Sequence, residues 1–134
     1  MRFDMTMTKF FLSLCMVLLT ACTSANDVNK VSLEQARAEH EAGKVTLIDI
    51  RETTEHRTGV APGAVLLPMS ELPRRLSSIP QTPDKPVLLI CNTQNRSKAT
   101  LSELQKRGYQ NIRYVEGGMS QWAAKGWPLS RPQP

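Results

Sequence analysis

Short, continuous apolar runs alternate with helix-like segments along most of this 134-residue chain, and this alternation constrains the fold more than any other feature. The runs have the length of strands, and uninterrupted apolar strands fit a sheet that is buried on both faces. Strands that alternate with helices favour βαβ units and a parallel sheet. The chain length allows one such domain. Strands are predicted over 45–50, 64–68, 86–90 and 111–116.

Cap residues set the limits of the predicted helices. Ser32 can cap the first helix, with Gln35 three residues on as in a capping box, and Gly43 ends it. Two further helices are predicted over 97–107, before Gly108, and over 118–125, before Gly126.

The first residues resemble an export signal. Residues 10–21 form an uncharged, mostly apolar run that is too short to span a bilayer as a helix but suits a signal-peptide core. The run ends in Leu-Thr-Ala-Cys at 19–22, which resembles the lipobox of bacterial lipoproteins. We therefore expect residues 1–21 to be a lipoprotein signal peptide, Cys22 to be lipidated and residues 22–30 to form a tether. Ordinary cleavage after Ala25 is the alternative.

A lipid on Cys22 would decide both the location of the protein and its supply of thiols. Several acyl chains are enough for stable membrane anchoring, and a threonine rather than an aspartate after the cysteine points to the periplasmic face of the outer membrane. Cys15 would leave with the signal peptide, so Cys91 would remain as the single thiol. The net charge of +5 includes no long basic run, so we expect no nucleic-acid partner.

Cys91 lies at the junction of a predicted buried strand and a predicted helix. Ligands of parallel α/β folds gather at such junctions. The loop from Asn92 to Ser97 contains no proline, so all its backbone N–H groups are available to bind an anion. The helix N-terminus and the charge of Arg96 both favour the thiolate form. We therefore interpret Cys91 as a nucleophile rather than as a small buried hydrophobic residue.

Three motifs, in this order, resemble those of the single-domain rhodaneses, a family of sulfurtransferases. The segment LIDIRETTEHRTGVAPGAVLLP at 47–68 resembles the family's Asp-x-Arg strand end followed by its Gly-His-Ile-Pro-Gly-Ala turn. The segment CNTQNRS at 91–97 resembles the active-site loop, which is usually Cys-x-x-Gly-x-Arg-Ser. The segment VEGGMSQWAAKGWPL at 115–129 resembles the closing Gly-Gly-x-x-x-Trp segment. The resemblance places a rhodanese domain over residues 31–130.

The resemblance implies a three-layer α/β/α domain around a central, mainly parallel sheet. Cys91 would take a sulfane sulfur from a small anionic donor such as thiosulfate and pass it, as a persulfide, to cyanide, a thiol or a protein acceptor. The reaction would need no metal and no organic cofactor. Arg96 would bind the donor or brace the loop. The thiolate and the persulfide would be stabilised by the backbone N–H groups of Asn92, Thr93, Gln94, Asn95, Arg96 and Ser97.

Two positions depart from the family pattern. Val60 replaces the histidine of the turn, and Gln94 stands where many members have glycine; if that position requires a positive φ, glutamine costs about 1 kcal/mol. Gln94 is the main support for an alternative function, a non-catalytic binding or sulfur-relay module. A phosphatase-like hydrolase is a third hypothesis. It is disfavoured because related phosphatases use a cysteine loop one residue longer than the six residues of 91–96.

The other conspicuous side chains have structural interpretations. Asp49 and Arg51 are predicted to form an internal hydrogen-bonded pair that supports the loop. His56, in a short polar helix, is predicted to be exposed, and His40 lies on the charged face of the first helix. Neither has a cysteine at ligand spacing, so no metal site is predicted. Trp122 and Trp127 are predicted to pack in the core rather than to bind substrate.

Overall fold

The computed structural model describes residues 27–133 as five strands with helices on both faces of the sheet. The predicted lipobox, with Cys22, lies outside the described residues. The strands are β1 (Lys30–Val31), β2 (Thr46–Asp49), β3 (Val65–Leu66), β4 (Val87–Ile90) and β5 (Ile112–Val115). The helices are α1 (Leu33–Glu41), α2 (Thr53–His56), α3 (Leu72–Arg75), α4 (Asn95–Lys106) and α5 (Gly118–Ala124), with 3-10 turns at Met69–Glu71 and Leu76–Ser78.

The sheet has the order β1-β5-β4-β2-β3, and every neighbouring pair is parallel. This arrangement confirms the predicted α/β class with a parallel sheet. β4 is the central strand, so its carboxyl end opens at the middle of the edge where ligands bind in parallel sheets.

The two faces of β4 pack into two separate cores, as the uninterrupted apolar run predicts. Val87 and Leu89 face a cluster that includes Leu101 and Leu104 of α4. Leu88 and Ile90 face the opposite cluster, which receives side chains from α1 and α5. All four β4 side chains are fully buried, and each contributes about 1.5–3 kcal/mol of hydrophobic stabilisation. Both clusters are formed by residues between Val31 and Trp127 and together cover both faces of the sheet.

The start of the domain includes residues that the sequence assigned to the tether. β1 begins at Lys30, and the carboxylate of Asp27 accepts a hydrogen bond from the Tyr114 hydroxyl at 2.7 Å. α1 begins as predicted, since the Ser32 side chain accepts a hydrogen bond from the Gln35 backbone N–H at 3.2 Å. Within residues 27–133, no helix combines the length and apolar character needed to cross a membrane.

Candidate active site

Cys91 follows β4 directly and is 1% exposed. Its Sγ atom lies 3.4 Å from both the backbone nitrogen and the hydroxyl oxygen of Ser97. The Ser97 hydroxyl donates to the Gln94 carbonyl at 3.0 Å and so can accept from the thiol, while the Ser97 backbone N–H donates to the sulfur. The sulfur is therefore held between the end of the central strand and the first turn of α4.

The remaining loop N–H groups are available for an anion. In the described part of the chain, the backbone N–H groups of Asn92 to Arg96 donate to no backbone acceptor. Two of them belong to the first turn of α4, where helix geometry leaves N–H groups without an intrahelical partner. Of the six loop residues predicted to contribute, Ser97 contacts Sγ, and the other five carry N–H groups that donate to no backbone acceptor within residues 27–133.

The start of α5 holds the loop from the other side. The backbone N–H of Met119 donates to the Cys91 carbonyl at 2.8 Å, and that of Ser120 donates to the Asn92 carbonyl at 2.9 Å. Gly118 allows this close approach, because a Cβ atom at that position would overlap the Thr93 carbonyl oxygen and lie 2.5 Å from the Cys91 carbonyl oxygen. The Gly-Gly motif thus fixes the loop in place, a role that was not predicted from the sequence.

Gln94 occupies its position without the strain considered above. Its φ of −161° is extended backbone, and no residue other than glycine has a positive φ in residues 27–133. The side-chain carbonyl of Gln94 accepts a hydrogen bond from the Gly117 backbone N–H at 3.1 Å. Glutamine therefore adds a contact between the loop and the glycine turn before α5.

Arg96 points to a carboxylate of α2. Its two terminal nitrogens donate to the two carboxylate oxygens of Glu55, each at 2.7 Å. These hydrogen bonds lower the pKa of Glu55 to about 2 and raise that of Arg96. Glu55 also accepts from the Glu52 backbone N–H at 2.9 Å, so the pair connects the loop to the first turn of α2.

Glu55 was not among the residues predicted to form the site, and it lies 41 positions before Arg96. The available signal was its place in the short helix that follows the Asp-x-Arg strand end. Parallel topology brings that helix to the same edge of the sheet as the cysteine loop, and an arginine there needs a carboxylate partner.

Asp49 and Arg51 form a buried pair below the loop. The guanidinium of Arg51 donates to both carboxylate oxygens at distances between 2.7 and 3.1 Å, and also to the Gly59 carbonyl at 2.8 Å. His56 lies against the same carboxylate, with Nε2 3.4 Å from Oδ1 of Asp49. The prediction that His56 is exposed is wrong, since only 3% of it is accessible. α2 turns this side chain inward onto Asp49.

The remaining singled-out residues have packing roles. Trp122 is buried, and its indole N–H donates to the Pro128 carbonyl at 2.8 Å. Trp127 packs edge-to-face against it, with 5.0 Å between the ring centroids. His40 Nε2 lies 2.6 Å from the Pro62 carbonyl oxygen, which fixes α1 to the turn before β3.

Comparisons with known proteins agree with this geometry. A family model for the rhodanese-like domain matches residues 32–125. A sulfurtransferase from Allochromatium vinosum is 35% identical over 108 residues, which cover 81% of this chain and 97% of that protein. The crystal structure of a rhodanese-related protein from Thermoplasma volcanium is similar with a TM-score of 0.67 and 28% identity, covering 76% of this chain and 97% of that one.

Another solved structure bears on the hydrolase hypothesis. It is a protein of unknown function from Rhodopseudomonas palustris, described as a possible tyrosine phosphatase. The TM-score is 0.65 at 26% identity, with 76% of this chain and 84% of that one covered. The family model, the sulfurtransferase relative and the shared architecture lead to one assignment. This chain belongs to the rhodanese-like domain family.

Proposed function

We propose that this protein is a sulfurtransferase that carries a sulfane sulfur on Cys91. The observation that carries the proposal is the position of Sγ, held 3.4 Å from the Ser97 amide at the carboxyl end of the central strand. The unpaired N–H groups of the same loop are consistent with an anionic sulfur species. A named sulfurtransferase relative supports the reaction class.

The first step loads the cysteine. The Cys91 thiolate attacks the outer sulfur of a donor such as thiosulfate, the sulfur–sulfur bond of the donor breaks, and sulfite leaves with the bonding pair. The product is a Cys91 persulfide with a negative terminal sulfur. The N–H groups of Asn92 to Arg96 would donate hydrogen bonds to this negative sulfur.

The second step transfers the terminal sulfur from Cys91 to an acceptor. Cyanide, a thiolate or a protein thiol attacks the terminal sulfur, the bond to Cys91 breaks, and its electron pair returns to the Cys91 sulfur. Thiocyanate or a new persulfide leaves. The cycle needs no external oxidant or reductant.

Arg96 is assigned to bracing the loop rather than to holding the donor. Both of its terminal nitrogens donate to Glu55, whose carboxylate offsets the arginine charge, so this side chain ties the loop to α2 and adds little positive potential for a donor. The positive potential for the donor then comes from the loop N–H groups and the N-terminus of α4.

The alternative functions draw less support from the loop. Gln94 is the main support for the non-catalytic binding or sulfur-relay module, and its φ of −161° carries none of the left-handed strain that was considered. The hydrolase hypothesis requires space for a tetrahedral oxyanion, whereas the six residues from Cys91 to Arg96 form a shorter loop that suits one sulfur atom. Hydrolysis of an aryl phosphate that depends on Cys91 would favour the hydrolase.

The test compares Cys91→Ala and Cys91→Ser with the wild type in the thiosulfate:cyanide assay. Both variants should lose all activity above background, since neither can hold a persulfide. Urea unfolding of each variant checks that the fold is intact. Full activity in Cys91→Ala would overturn the proposal.

We also propose that the protein is a lipoprotein anchored through Cys22 to the periplasmic face of the outer membrane. The support is the lipobox at 19–22. The test is labelling of full-length protein in a bacterial host with a palmitate analogue. The wild type should carry the label and fractionate with the outer membrane, and Cys22→Ser should lose it. A label that persists in Cys22→Ser would contradict the anchor.

A further inference from the structure

A surface pocket of about 660 Å³ lies beside α2. Its walls come from α2, from the segment that follows β3, from the region of α3 and from residues 131–133. None of its lining residues belongs to the cysteine loop at 91–97. The pocket has the size of a small-molecule site and lies near the carboxyl ends of β2 and β3. It is therefore a cavity separate from the proposed sulfur-transfer site.

The charged residues of the pocket favour an anion. Arg57, Arg75 and Arg131 line it, and Glu71 is the one carboxylate among its lining residues. Arg75 is paired with Glu71 at 2.8 Å. Within residues 27–133, neither Arg57 nor Arg131 forms an ion pair with a carboxylate. Among the described residues, two guanidinium groups thus border one cavity without a paired carboxylate, and guanidinium binds carboxylate and sulfonate oxygens well.

Much of the remaining wall is apolar, although Thr53 and Gln133 also line it. Leu66, Pro68 and Pro132 line it, and so does the buried ring of His56. Arginines beside apolar side chains match a ligand that has an anionic end and an apolar body. An inorganic anion would leave the apolar wall uncovered.

The wall from the C-terminal segment is fixed to the domain. Val60 and Ser130 exchange two backbone hydrogen bonds, each at 2.8 Å, which places Arg131 directly after an anchored residue. The second arginine, Arg57, follows α2, whose His56 is buried against Asp49. Both arginines therefore extend from anchored backbone, which reduces the entropic cost of binding a ligand.

We propose that this pocket binds a small organic anion, with its carboxylate or sulfonate on Arg57 and Arg131 and its apolar body against Leu66, Pro68 and Pro132. α2 contributes to both sites, because Glu55 pairs with Arg96 of the loop while its neighbours Thr53, His56 and Arg57 line the pocket. The inference does not depend on sulfur transfer, since it concerns binding outside the loop.

The probe for the test is 8-anilinonaphthalene-1-sulfonate, which joins a sulfonate to an aromatic body and fluoresces when bound. N-phenyl-1-naphthylamine supplies the same body without the charge. Binding is measured on residues 24–134, which include both core clusters, for the wild type and the double variant Arg57→Gln/Arg131→Gln. Arg74→Gln is the matched control, because Arg74 is an exposed arginine of α3 that does not line the pocket.

We expect saturable binding of the sulfonate to the wild type and to Arg74→Gln, with a dissociation constant at least about tenfold higher in the double variant. The affinity of the neutral analogue should change by less than about twofold. Cys91→Ser should bind the sulfonate as the wild type does.

Four results would overturn the proposal. They are no saturable binding of the sulfonate to the wild type, equal binding to the double variant, an equal loss of both probes in that variant, and a loss of sulfonate binding in Cys91→Ser. The last would place the anion in the cysteine loop. Because the readout is probe fluorescence, none of these results bears on sulfurtransferase activity.

Discussion

Replacing Gly118 by alanine tests how the loop around Cys91 is held. Gly118 has a φ of +61°, and an added Cβ would overlap the Thr93 carbonyl oxygen. The three atoms nearest to the added Cβ are all backbone atoms of the loop, so no flexible side chain can move away to make room. Either the loop or the start of α5 must shift, and both hydrogen bonds between them, to the carbonyls of Cys91 and Asn92, would be lost.

The magnitude follows from two contributions. An L-residue in the left-handed region costs roughly 1–2 kcal/mol, and each lost hydrogen bond costs about 1 kcal/mol. The expected loss of unfolding free energy is therefore about 3–4 kcal/mol. Gly43 is the matched control, since it has a φ of +68° with no atom within 4 Å of its added Cβ. Gly43→Ala should cost only the conformational part, about 1–2 kcal/mol.

Urea unfolding of residues 24–134 measures both variants against the wild type. We expect Gly118→Ala to be less stable than Gly43→Ala by about 2 kcal/mol, the part due to the lost hydrogen bonds. The thiosulfate:cyanide activity of Gly118→Ala should also fall, because the loop N–H groups are displaced. Equal destabilisation by the two substitutions would refute the argument that α5 holds the loop by close approach.

Three further substitutions test the other contacts. In Glu55→Gln the ion pair with Arg96 is lost. Because folding lowers the pKa of Glu55 from 4.5 to about 2, the wild-type pair stabilises the fold above pH 4.5 and loses this effect as the pH falls toward 2. Between pH 4.5 and 2 the urea midpoint of the variant should therefore fall less steeply than that of the wild type. Asp49→Asn removes the carboxylate that pairs with the buried Arg51 guanidinium and should cost about 3–5 kcal/mol in urea unfolding. Trp122→Ala removes a buried indole and should cost about 3–5 kcal/mol by the same measurement.

Each of these three predictions has an outcome that would contradict it. Parallel pH profiles for Glu55→Gln and the wild type would mean that the Arg96 pair adds no stability; Glu103→Gln, at an exposed pair with Lys106, is the control. Wild-type stability in Asp49→Asn would mean that the Arg51 charge reaches solvent. A loss below about 1 kcal/mol in Trp122→Ala would mean that the core cluster of Leu88 and Ile90, to which Trp122 belongs, tolerates a cavity.

The long apolar runs made the sheet predictable. The run at 86–90 became β4 at Val87–Ile90, because an uninterrupted apolar strand can only be stable when both of its faces are covered. β1 has two residues and carries no periodicity, so the sequence did not separate it from the tether. The turns and short helix from 69 to 78 were missed for the same reason, since Pro73 and single turns leave no pattern to recognise.

The residues of the candidate site also differ in whether they could be predicted from the sequence. Cys91 and Arg96 were identifiable because a strand, a loop and a helix follow one another within a few residues. The contacts of Glu55 and Gly118 join segments far apart in the sequence, so they become visible only in the folded chain. The burial of His56 was missed because the residues around it are polar, while its partner Asp49 is supplied by the end of β2.

The central claim is that Cys91 carries sulfur, and intact mass spectrometry of residues 24–134 tests it most directly. The protein is measured before and after treatment with thiosulfate, and again after addition of cyanide, with Cys91→Ser as the control. We expect a gain of one sulfur atom that fragmentation assigns to Cys91, that cyanide removes and that the control lacks. An unmodified Cys91 in a folded, thiosulfate-treated protein would contradict the proposed function.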